Sequence, residues 1–178
     1  MAIRHFADHK PQVHASAFVD ATALVIGQAT LDEDSSVWPM SVIRADINAV
    51  YIGKRSNIQD GTIIHVTHAG KYNPAGYKTW VGNDVTVGHR CILHGCTIAD
   101  HCLIGMGVCL MDGVTVEPNV MIGAGSLVTP GKTLTSGNLW LGAPARCIRP
   151  LNEQELEFLT YSAQYYAQLK NKHQQSIY

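Results

Sequence analysis

The stretch "IADHCLIGMGVCLMDGVTVEPNVMIGAGSLV", residues 98–128, decides the fold. Aliphatic residues stand at Ile98, Ile104, Leu110, Val116, Ile122 and Val128, one every six positions. A period of six fits neither a 3.6-residue helix nor a long two-residue alternation. It fits short strands joined by sharp turns, each strand turning one aliphatic side chain inward. Three such sides make a coil of about 18 residues, and stacked coils pair their backbones at about 4.8 Å while burying a continuous aliphatic column.

The same step recurs on either side of this stretch. It runs through Val13, Val19, Val25, Leu31, Val37 and Ile43, then Ile52, Ile58 and Ile64, then Val81, Val87 and Leu93. About seven coils fit between residues 13 and 145 once one insertion is removed. That insertion is "AGKYNPAGYKT", residues 69–79, rich in Gly, Pro, Asn and Tyr, and it reads as a protruding loop. Gly105/Gly107 and Gly123/Gly125 recur with the hexads and read as turn glycines, not as a phosphate loop.

The coils end at "LGAPA", residues 141–145, and "NEQELEFLTYSAQYYAQLKNK" then reads as a helix. Asn152 with Glu155 three residues on makes a capping box. Leu156, Leu159, Ala163 and Tyr166 form an apolar stripe expected to pack on the outside of the coils. The expected organisation is a mainly β domain over 1–150 and a C-terminal α-helical segment over 151–178.

Composition narrows the function classes. The chain has 178 residues, suited to one domain, with 15% charged residues and a formal net charge of −1. It holds no Lys/Arg run, which argues against nucleic acid as a partner. Apolar runs are interrupted every few residues, so no membrane-spanning segment is expected, and the start, "MAIRHFADHKPQ", has no apolar signal core. The five cysteines, Cys91, Cys96, Cys102, Cys109 and Cys147, include no CxxC pair. They read as reduced thiols of a cytoplasmic protein.

Nine histidines stand out. His65 directly follows the inward Ile64, and His94 directly follows the inward Leu93. They are 29 residues apart, and removing an insertion of about 11 leaves one coil. The two should therefore stack on adjacent coils, either as a chelating pair with metal–nitrogen distances near 2.0–2.1 Å or as hydrogen-bonded turn residues. His89 follows Val87 by two places, in a different phase and on another side of the triangle. It cannot easily reach an ion held by its own chain's His65 and His94, whereas in a trimer a second chain's His89 can.

With the motifs "IRAD" (43–46), "NIQDG" (57–61), "IIHVTH" (63–68), "VGHRCILHGCTI" (87–98) and "LGAPA" (141–145), the chain resembles the γ-class carbonic anhydrase-like branch of the hexapeptide-repeat proteins. The resemblance implies a left-handed parallel β-helix, where bottom-up rules would favour right-handed crossovers. It implies a homotrimer with Zn²⁺, or Fe²⁺ or Co²⁺, at each subunit interface, held by His65, His89 and His94. It implies a lyase in which zinc hydroxide attacks CO₂ to give bicarbonate. In that resemblance Gln59 bonds the hydroxide, Asn57 and Asp60 hold Gln59 and nearby groups, and Arg44 with Asp46 forms an intersubunit ion pair beside the site. Arg44 also meets bicarbonate, and Tyr166 points its hydroxyl from the helix toward a metal site.

Two departures bear on rate. The best-characterised members follow the Arg-x-Asp with Glu and carry an acidic loop, and those glutamates shuttle protons. Here Ile47 follows Asp46, and residues 69–79 hold no carboxylate. Slow proton release is expected, with His68 as a candidate substitute or a loop anchor. The rival readings are a hexapeptide-repeat acyltransferase, an acyl-thioester hydrolase and a non-catalytic metal-binding scaffold.

Overall fold

The computed structural model describes residues 2–176. The expected architecture is present: mainly β, as parallel coils with one C-terminal helix. Three faces wind in strict rotation. The first carries strands at 3–4, 24–27, 42–45, 63–65, 92–94, 109–110 and 127–128. The second carries 12–13, 29–31, 50–52, 79–81, 97–98, 115–116 and 133–134. The third starts at 18–19 and climbs through 36–37, 57–58, 86–87, 103–104 and 121–122 to Asn138–Gly142. An antiparallel strand, Ala145–Pro150, adds an eighth rung to that face alone.

The hexad aliphatics point inward. Ile43, Ile64, Leu93, Leu110 and Val128 stack fully buried beneath the first face, and Ile52, Val81, Ile98, Val116 and Leu134 beneath the second. Each backbone pairs above and below, so side-chain register passes from coil to coil. Ile64→Ala would cost about 2–5 kcal/mol and loosen the strand that carries His65.

The corners explain the glycines. Gly107 and Gly125 lie in the left-handed region, at φ +69° and +70°, as expected of turn residues. Gly105 and Gly123 do not, which corrects their reading as turn glycines. They directly follow inward residues, and a Cβ on Gly105 would stand 2.6 Å from the Ala124 backbone nitrogen. The need there is close approach of two coils.

Two insertions interrupt the coils, not one. The expected loop is present, closed by antiparallel bridges Thr67–Tyr77 and Gly70–Asn73, while Thr79 already belongs to the next strand. The second lies between Ile43 and Ile52, nine residues apart, where the strand Val42–Ile52 crosses two faces and its register slips between Gly27 and Ala29. It carries Asp46, Ile47 and Asn48 out of the hexad phase.

The helix, α1, spans Glu153–Ser176. Its capping box is reciprocal: Glu155 N donates to Asn152 Oδ1 at 2.8 Å, and Asn152 N donates to Glu155 Oε2 at 2.9 Å. The helix runs back down the third face, over strands 86–87, 57–58 and 36–37. Its buried line is Leu159, Ser162, Ala163 and Lys170. Leu156 is exposed, which corrects the expected stripe. Lys170 is buried to 1% exposure and donates to Asp34 at 2.9 Å, holding that carboxyl below its ordinary range.

Candidate functional site

The stacking expected of His65 and His94 is observed. They end strands 63–65 and 92–94 and are direct Cα partners across the first face. Their ring centroids are 5.1 Å apart, and His65 Nδ1 lies 3.1 Å from His94 Nε2. Each ring's other nitrogen meets a carboxylate. His65 Nε2 donates to Asp46 Oδ1 at 3.1 Å, and His94 Nδ1 donates to Asp112 Oδ1 at 2.7 Å. An ionised carboxylate only accepts, so the nitrogen facing it carries the proton. In neutral rings the remaining lone pairs, on His65 Nδ1 and His94 Nε2, then face each other.

Two facing lone pairs call for a shared cation. Ligand nitrogens 2.0–2.1 Å from a tetrahedral ion stand roughly 3.3 Å apart, close to the observed 3.1 Å. Donor type, spacing and carboxylate-fixed tautomers all fit a metal such as zinc. Burial, helped by Arg44 and His94 and opposed by Asp46, holds His65 below its ordinary pKa, which favours the neutral, ligating ring.

Arg44 Nη1 donates to Asp46 Oδ2 at 2.6 Å, within one chain. Burial opposes ionisation of Asp46, but its bonds from Arg44 and His65 win and hold the carboxyl below its ordinary range. Thr67, in the loop stem, donates to Asp112 Oδ2 at 2.8 Å. Sequence reasoning missed Asp112. It stands 18 residues beyond His94, one position past the register that the 17-residue coil from Leu93 to Leu110 sets.

His89 sits elsewhere, in the turn that leaves the third face. Its Nδ1 donates to Asp60 Oδ2 at 2.9 Å, which leaves the Nε2 lone pair free in the neutral ring. Gln59, 5% exposed, lies one coil below, and its Nε2 donates to Asn57 Oδ1 at 3.1 Å. Asn57 Nδ2 donates to Thr86 Oγ1 at 3.1 Å, and Thr86 shares a 2.9 Å bond with Ser162 of α1. Tyr166 packs edge-on against Trp38, with ring centroids 5.5 Å apart, and lines one cleft with Gln59 and His89. Burial, then the charge of Asp60, raises the Tyr166 pKa and keeps its hydroxyl a donor.

The sequence-derived residues therefore form two groups. Arg44, His65 and His94 meet at the exit of the first face. Gln59, Asp60, Asn57, His89 and Tyr166 meet at its entrance. The five-residue step from His89 to His94 leaves a turn and runs along the strand Ile92–His94, so the two rings stand at opposite ends of that face. Among the described residues, no three His, Cys, Asp or Glu side chains of one chain gather in a way that could hold a metal.

Between the groups runs an apolar column. Leu24, Val42, Ile63, Ile92, Cys109 and Leu127 lie in register and point outward. Ile63 is 48% and Ile92 46% exposed. His68 is exposed, with its ring beside Gly70.

The hexapeptide family described as "Bacterial transferase hexapeptide (six repeats)" matches residues 95–130. "Protein YrdA" of Escherichia coli is 50% identical over 96% of this chain and 93% of its own length. "Gamma carbonic anhydrase 1, mitochondrial" of Arabidopsis thaliana is 42% identical over 93% of this chain and 60% of its own. The chain belongs to the γ-class carbonic anhydrase-like family. Among solved structures of this family's fold, a hexapeptide transferase family protein from Anaplasma phagocytophilum matches at 36% identity and TM-score 0.89, over 96% of this chain and 97% of its own.

Proposed function

We propose that this chain is a metal-dependent carbonic anhydrase-like lyase that interconverts CO₂ and bicarbonate as a homotrimer. One observation carries the reading: two complementary histidine groups flank a bare apolar face, and neither completes a metal site alone. Stacking that face against the next protomer would bury the Ile63–Ile92 column and bring His89 of one chain to His65 and His94 of another. These three would hold Zn²⁺, with Fe²⁺ or Co²⁺ as imidazole-compatible alternatives. When bound, the ion supplies a water-derived nucleophile at neutral pH.

The chain's own residues prepare that chemistry. Asp46, Asp112 and Asp60 select the tautomers that turn three lone pairs outward. Asn57 occupies the Gln59 amide nitrogen, which leaves the amide oxygen to accept a proton donor and aim it. Arg44 spends one nitrogen on Asp46 and is half exposed, so its other donors can meet bicarbonate. Tyr166 offers a hydroxyl donor.

Proton export is the weak step, since Ile47 is exposed where a carboxylate would serve and the loop bears none. No helix among the described residues is long and apolar enough to cross a membrane. The free cysteines fit a cytoplasmic setting: burial pushes Cys96 and Cys102 to about 12 and leaves them inert.

The test is zinc content, sedimentation and stopped-flow CO₂ hydration on one preparation. A trimer with about one zinc per chain and measurable hydration supports the reading, and a monomer that holds stoichiometric zinc overturns it. The name of the Anaplasma relative favours a transferase instead. That alternative requires metal-independent acetyl-CoA binding, which equilibrium titration against chelated protein measures.

A further inference from the structure

The cleft at the entrance of the first face is larger than CO₂ requires. It is an open cleft of about 320 Å³ between α1 and the coil corners. Small-molecule sites begin at about 300 Å³ and combine a mostly apolar lining with a few convergent polar groups. This cleft is built that way. Gln59, His89 and Tyr166 form its polar end, and Leu103, Met106, Ala124 and Phe158 line an apolar remainder. Met106 and Phe158 are 57% and 48% exposed, so side chains that α1 and the coils could have buried are left at the opening.

We infer that the site accepts a small carbonyl compound carrying a short aliphatic chain. The inference rests on Gln59 and His89 belonging to the proposed site, and it names a ligand class beyond CO₂. The carbonyl oxygen accepts from the Tyr166 hydroxyl, which lines the polar end and is bonded to no protein group among the described residues. The chain lies along Leu103, Ala124 and Met106 and displaces water from apolar surface. Gly105 lets the two coils that carry Leu103 and Ala124 approach closely, since a Cβ there would stand 2.6 Å from the Ala124 backbone nitrogen. An anionic head group fits less well, because Asp60 stands beside His89 with half its side chain exposed.

The test uses straight-chain aliphatic amides, acetamide to hexanamide, as unreactive carbonyl probes. Binding is followed by protein NMR titration, in zinc and in chelator, with zinc content measured on the same sample. Full burial of one methylene is worth about 0.8 kcal/mol, roughly a fourfold change in affinity. In this half-open cleft each methylene should strengthen binding roughly two- to fourfold up to about four carbons, with perturbed signals clustered at Leu103, Ala124 and Phe158. Ala124→Trp should flatten that trend, and Tyr166→Phe should weaken every probe alike while keeping the slope. Zinc-loaded protein with no chain-length trend overturns the cleft and leaves the carbonic anhydrase reading standing. A trend in protein that takes up no zinc even when zinc is supplied supports the cleft and overturns the metal site. A trend that survives Ala124→Trp also overturns the assignment, because the chain would then lie elsewhere.

Discussion

The two ends of the first face use the same chemistry with different stiffness. At the exit, His65 and His94 end paired strands, and the His65 side chain is 14% exposed. At the entrance, His89 stands alone on a turn and its side chain is 44% exposed, with an equally open Asp60 behind it. Strand register delivers two nitrogens at chelating distance before any partner arrives. In the proposed trimer, the lone donor gains its purpose only when a second copy covers it. The exit should therefore govern whether metal is captured, and the entrance whether the captured ion is completed and what reaches it.

The sharpest way to break this comparison is to delete ligands one at a time and then mix them. His65→Ala, His94→Ala and His89→Ala should each strip most of the zinc, because two protein ligands hold it poorly. Co-refolding His89→Ala with His94→Ala chains should restore about one site in three per mixed trimer, since a cyclic trimer of both types has one interface with all three ligands. Metal analysis that shows no recovery in mixed trimers would remove the interface argument.

A smaller effect separates the carboxylates. Losing an outer-shell partner of a ligating histidine costs 10–100-fold in metal affinity. Asp112→Asn should fall toward the upper end of that range, since it holds a ring of the chelating pair and is itself held by Thr67. Asp60→Asn should cost about tenfold. Zinc competition titrations rank the two, and the reverse order would make the entrance the dominant half.

The next effect is one of rate. Hydration should rise with the concentration of a small buffer such as imidazole. Ile47→Glu should raise the rate several-fold in weak buffer and little in strong buffer, because it restores a general base only where buffer is not already carrying the proton. An equal gain in both conditions would place the slow step elsewhere.

The smallest effect concerns the helix that borders only the entrance. Arg149, then the Asn152 backbone N–H, pulls the Glu155 carboxyl down to about 2 from an ordinary 4.5. A depressed folded-state value stabilises above the ordinary one and is lost as pH falls from about 4.5 through 2. Glu155→Gln should remove that dependence from the helical circular-dichroism signal and leave zinc affinity at neutral pH unchanged. A changed zinc affinity would couple the cap to the metal site.

Much of this was legible because six-residue phase is a spatial coordinate. It assigned inward residues to faces and placed His65 over His94, a register the backbone pairing reproduces. It separated His89 from that pair. Phase fails where a coil changes length. Asp46 lies in an insertion with no hexad address, and Asp112 follows a coil shortened to 17 residues between Leu93 and Leu110, so neither carboxylate showed as a partner of its histidine. The helix misled differently. Apolarity marked Leu159 and Ala163, which are buried, and Leu156, which is not, and it passed over Ser162 and Lys170, whose polar ends find Thr86 and Asp34. The role carried over for Tyr166 remains a proposal, although the structure places that residue beside Gln59 and His89.

Almost every strand pairing spans about one coil of sequence, but α1 reaches from Thr86 down to Ala17, where Gln174 bonds a carbonyl 157 positions upstream. As the chain leaves the ribosome, the exit can assemble as soon as residue 112 has emerged. The entrance waits for the C-terminal helix, and until then its third face is open to water. The part of the entrance that α1 supplies, Ser162 and Tyr166, is thus the last of the candidate site to be made.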